Sequence, residues 1–114
     1  MKINGVELEN IDIYDLEVAE KYENALKNVE EVCSTADGKG LSEGIKIQCN
    51  AIFDFFNEIF GEGTDKKVFG NKVNLVTCLK AFEECVLQVN EQKKEIEKIS
   101  NKYLPNRAAR RSKK

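Results

Sequence analysis

Residues 45–61, IKIQCNAIFDFFNEIFG, limit what this chain can fold into more than any other stretch. Ile45, Cys49, Ile52, Phe53, Phe56, Ile59 and Phe60 recur at steps of three and four, the spacing that aligns side chains on one face of an α-helix. Ile47 and Phe55 fall off that line, so the helix is apolar on more than one side. Such a helix has to be covered by protein, because so much contiguous hydrocarbon is not tolerated in water. The expectation is a central helix with other helices packed around it.

The rest of the chain supplies the cover. Ile3, Val6, Leu8, Ile11 and Ile13 flank Asn4-Gly5, a strong tight-turn dipeptide, and predict short strands within residues 2–11. A lone hairpin is marginal in water, so it has to lean on the helices or pair with another subunit. A first helix is predicted over 13–33, capped by Asp12, with Leu16, Ala19, Tyr22, Leu26, Val29 and Cys33 on one face. Glu17 and Lys21, and Glu23 and Lys27, are ordered for i,i+4 pairing on its exposed side. The loop STADGKGL lacks the spacing of a phosphate-binding loop. The central helix is predicted over 42–60, with Ser42 as its cap and Gly61 at its end.

Residues 61–73 read as a connection with Val68 and Phe69 tucked under the domain. A last helix is predicted over 74–102, capped by Asn71 or Asn74. Leu75, Leu79, Phe82, Val86, Val89, Ile96, Ile99 and Tyr103 form its stripe, which Lys93 and Lys94 interrupt. At roughly 1.5 Å per residue it exceeds about 40 Å, more than the other helices can cover. Pro105 stops it. The predicted fold class is mainly α: a small helical domain of three main helices with a short N-terminal β-hairpin or strand over residues 1–104, then a flexible basic tail over 105–114.

Catalysis is disfavoured. The chain has no histidine, no base-supported nucleophile and no G-x-S-x-G elbow. The adjacent carboxylates Glu30-Glu31 and Glu83-Glu84 point about 100° apart on a helix and share no site. Cys33, Cys49, Cys78 and Cys85 form no C-x-x-C pair and read as free apolar thiols, so no metal and no cofactor are expected. No apolar run approaches the roughly 18 residues of a membrane span. The opening MKINGVELEN has no apolar signal core, which makes the cytoplasm the expected compartment.

Charge is uneven. Residues 1–104 hold 13 of the 18 basic residues, all lysine, against all 20 acids, a net −7, whereas residues 105–114 carry +5. Two sets of side chains are therefore candidates for a partner. The aromatics Phe55, Phe56, Phe60 and Phe69 are the first, although aromatics at helical spacing are core before they are anything else. Arg107, Arg110 and Arg111 in the tail are the second, suited to phosphate or to an acidic protein surface. The acidic body repels phosphate, which disfavours nucleic acid.

The order of these pieces carries a resemblance. MKINGVELENIDIYD, AEKYENAL, IFDFFNEIFGEG, VFGNKVNLVTCLKAFEE and the closing NRAARR together resemble the tail assembly chaperones of phages and prophages of Gram-positive bacteria. Phe56, Phe60, Gly61 and Gly63 are the positions that match most closely. The resemblance implies a cytoplasmic, mostly helical protein that binds the tape measure protein before the tail tube polymerises and is absent from the finished virion. It also implies that a frameshift can extend the chain. A homo-oligomer is expected as well, through the N-terminal strands or the protruding part of the last helix. The alternative is a small phage-encoded adaptor or inhibitor that uses its basic tail on a host protein or nucleic acid.

Overall fold

The computed structural model describes residues 1–103. Pro105 and the basic tail lie outside the described residues. Asn4 and Gly5 both take positive φ, 51° and 75°, as the tightest hairpin turn demands. They join β1 (Lys2–Ile3) to β2 (Val6–Glu7), antiparallel, with Lys2 opposite Glu7 and Ile3 opposite Val6. Four helices follow: α1 (Leu16–Ser34), α2 (Leu41–Phe60), α3 (Thr64–Phe69) and α4 (Leu75–Tyr103). The chain is thus mainly α with a short N-terminal hairpin, as its periodicities predict. The stretch read as a connection contains the short α3, and Val68 and Phe69 are buried there.

Two helix starts differ from expectation. Asp15, not Asp12, caps α1 by accepting from the Glu17 amide at 3.1 Å. The Asp15 amide bonds back to the Asp12 carbonyl, a turn that keeps residues 12–15 out of the helix. Gly40 is the N-cap of α2, and its carbonyl takes the Gly44 amide at 2.9 Å, so Ser42 lies inside the first turn and caps nothing. Asn74 caps α4 as predicted, accepting from the Thr77 amide at 3.1 Å. Neither Glu17–Lys21 nor Glu23–Lys27 closes to ion-pair distance among the described residues, in keeping with the small return on exposed pairs.

Helix α2 is the hub. It packs against α1, α3 and α4, while β1 rests on α4. Its several apolar sides now have their partners. Phe55, off the main stripe, meets Tyr22 of α1 at 6.1 Å between ring centres and Phe82 of α4 at 4.9 Å. Phe53 and Phe56 meet Phe69 of α3 at 5.1 and 5.7 Å. On α1 the buried line is Tyr22, Ala25 and Val29, and Leu16 is exposed rather than packed. On α4 the buried line is Cys78, Ala81, Cys85 and Val89, while the predicted Leu79 is exposed. Beside Tyr22 and Phe82, which meet Phe55 directly, small residues fill the remaining positions, as close packing allows.

All four cysteines are free, with Cys49, Cys78 and Cys85 buried. Burial pushes the Cys85 thiol up to about 12. Burial, with Cys49 alongside, does the same for Cys78. Burial also raises Tyr22 to about 12, with Cys85 adding to it. These groups are neutral in the folded state, so their stabilisation is complete below the unfolded thiol value near 9 and is lost as pH rises toward 12. With no histidine in the chain, urea unfolding should give the same stability at pH 6.5 and 7.5. At pH 10 it should be lower by about 2–3 kcal/mol, one pKa unit of displacement for each of two thiols.

Candidate interaction surfaces on the long helix

Glu84, Gln88 and Gln92 recur every fourth residue on α4 and hold the N-terminal segment by its backbone. Glu84 accepts from the Asn4 amide at 2.9 Å, and Gln88 donates to the Lys2 carbonyl at 2.9 Å. Gln92 donates to the Ile11 carbonyl at 3.0 Å and accepts from the Ile13 amide at 3.1 Å. The Tyr14 hydroxyl donates to the Gln92 carbonyl at 2.8 Å, and the Asn4 side chain donates to the Val68 carbonyl of α3 at 2.9 Å. The hairpin therefore leans on its own chain. Sequence reasoning missed this ladder and considered Glu84 only as half of a carboxylate pair that shares no site, although the i,i+4 spacing of three long polar side chains was the available signal. Gln92→Ala leaves the Ile11 and Ile13 backbone groups without partners. It should cost about 1–3 kcal/mol and speed amide exchange at Ile13.

A second pattern runs down α4. Leu75, Cys78, Phe82, Cys85, Val89, Gln92, Ile96, Ile99 and Tyr103 alternate steps of three and four, the heptad seam that seeks a partner helix. As far as Val89 the seam faces the core, and at Gln92 it meets residues 11 and 13. Beyond that point the described residues leave it uncovered: Ile96, Ile99 and Tyr103 are 37, 51 and 68 % exposed. Length explains why. Helix α4 has 29 residues and α2 has 20, a difference of about 14 Å.

A groove of about 260 Å³ opens where this overhang leaves the body. Ile13, Ala19, Tyr22 and Leu26 give it an apolar lining, and Tyr14, Glu23 and Lys93 bring polar atoms. Tyr14 links groove to overhang through its bond to Gln92. Its phenol is raised above 10 by desolvation first, then by Glu97 and Asp12, so it remains a hydrogen-bond donor at neutral pH.

The residues singled out from the sequence fall elsewhere. Phe55 and Phe56 are fully buried and Phe69 nearly so, because α1, α3 and α4 close on α2 from three sides. Phe60 is half-buried, stacked on Phe56 at 6.0 Å. Phe55, Phe56 and Phe69 are part of the core, and Phe60 packs against it. Arg107, Arg110 and Arg111 lie outside the described residues. Among the described residues no group of three or more His, Cys, Asp or Glu is gathered as metal ligands would be, and no helix is long and apolar enough to cross a membrane.

The profile of one protein family, described as a family of unknown function (DUF6673), matches residues 4–114. No curated protein and no solved structure matches the chain.

Proposed function

We propose that this chain, which belongs to the family of unknown function DUF6673, is a tail assembly chaperone that holds an amphipathic helical client on the overhang of α4. The observation that carries the reading is the seam of α4, which continues past the core and is left uncovered at Ile96, Ile99 and Tyr103. A client helix with apolar residues at i, i+3, i+4 and i+7 completes that seam in the helix-in-groove mode. The groove beside Tyr14 and Lys93 takes a client side chain at the near end. The resemblance names the client as the tape measure protein, whose long helices need apolar cover until the tail tube forms.

The energetics suit a chaperone that has to let go. Full burial of an apolar side chain contributes about 1.5–3 kcal/mol, and association costs take back much of what three of them gain. One copy therefore binds weakly, and several copies along a long client mask it together. The net −7 of residues 1–104 keeps the coated client soluble. Co-expression with a tape measure segment tests the reading. The segment should become soluble and co-purify with the chain, and a segment that stays insoluble and unbound refutes it. The adaptor reading, which uses Arg107, Arg110 and Arg111, instead requires binding that deletion of residues 105–114 abolishes.

A further inference from the structure

The client reading leaves the opposite, outward side of the first half of α4 without a role. Val76, Lys80, Glu83 and Leu87 follow one another there at steps of four, three and four, which places them on one line. All four are exposed, Val76 and Leu87 at 60 and 57 %. Exposed Leu79 and half-buried Val86 flank the line. Among the described residues neither Lys80 nor Glu83 forms an ion pair.

The line reads apolar, positive, negative, apolar in one direction and apolar, negative, positive, apolar in the other. Laid antiparallel on itself it matches at every position. Val76 meets Leu87 and Lys80 meets Glu83. A two-fold contact requires such a self-complementary patch. The parallel arrangement sets lysine on lysine and glutamate on glutamate, which is repulsive. We infer that this face is an antiparallel two-fold interface with a second copy of the chain, its axis passing between Lys80 and Glu83.

This interface is separate from the overhang and does not depend on what the overhang binds. The two surfaces lie on opposite sides of α4, because Ile96 and Tyr103 sit roughly 180° around the helix from Val76 and Leu87. In the dimer the two overhangs point away from each other, with their centres about 50 Å apart. Both remain free, so one dimer can engage two stretches of a long client.

Light scattering on the full chain at low salt tests the interface. The chain should be a dimer at tens of micromolar. Lys80→Glu places two glutamates opposite each other at both ends of the central charge pair, and the dissociation constant should rise at least tenfold. Glu83→Lys should do the same. The double variant carrying both changes restores opposite charges and should recover the dimer, and far-UV circular dichroism of each single variant should match the wild-type chain. A monomeric wild-type chain, a dimer indifferent to the single changes, or a double variant that fails to recover overturns the inference and leaves the client reading standing.

Discussion

Replacing Phe55 by Ala should cost about 3–5 kcal/mol of folding stability, the largest effect expected of any single substitution in this chain. Phe55 is 1 % exposed and lies where three elements meet. Its ring touches Tyr22 of α1, Phe56 of its own helix and Phe82 of α4, all edge to face, at 6.1, 5.3 and 4.9 Å between centres. Such pairs add about 0.5–1.5 kcal/mol each beyond the area they bury. Truncation leaves a cavity that two facing helices cannot close without moving. Small domains have about 5–15 kcal/mol of stability in total, so the variant should lose at least about a fifth of it. Urea unfolding followed by far-UV circular dichroism measures the loss. Phe60→Ala, half-buried at the end of α2, should cost clearly less. A Phe55 variant within about 1 kcal/mol of wild type would show that α2 is not the hub.

The second large effect is on binding and leaves the fold alone. Ile96→Asp combined with Ile99→Asp should weaken capture of a tape measure helix more than a hundredfold. Each change removes apolar burial at the contact and asks a carboxylate to be desolvated against hydrocarbon, and a hundredfold corresponds to only about 2.8 kcal/mol. Both residues are exposed in the free chain, so unfolding should shift by no more than about 0.5 kcal/mol. Fluorescence anisotropy with a labelled client helix separates the two quantities. Leu87→Asp, on the far side of α4, should leave client affinity close to wild type.

Much of the fold was legible in the sequence because its signals were local. Asn4-Gly5 announces a turn that needs two positive φ values, and the structure shows both. The three- and four-residue steps of residues 45–60 announce a helix covered on several sides, and α2 is covered on several sides. Facing was less legible. Leu79 belongs to an apolar stripe but points outward, and Cys78, Ala81 and Cys85 point inward, because the size of the neighbours on α2 decides which side of α4 comes close. The three- and four-residue steps through Cys78 and Cys85 did carry that information, but the larger apolar side chains at Leu79 and Val86 drew the stripe to one side.

The candidate site divides in the same way. An α4 too long for its companions was visible from residue counts alone, and so was the continuation of its seam to Tyr103. The aromatic cluster was read as core first and as a candidate partner surface second, because core and interface draw on the same large apolar side chains. Only the positions of α1, α3 and α4 around Phe55, Phe56 and Phe69 separate the two roles. The Glu84–Gln88–Gln92 ladder stayed hidden because its partners are backbone groups some eighty residues away in sequence, to which the spacing of the three side chains does not point.

The central claim is that the uncovered seam of α4 receives a client helix. Amide hydrogen exchange of the full chain, with and without a tape measure helix, tests it most directly. The account predicts new protection from Gln92 to Tyr103 and at Tyr14, with the core of α2 unchanged. Protection confined to other surfaces, or no change anywhere at saturating client, would contradict it.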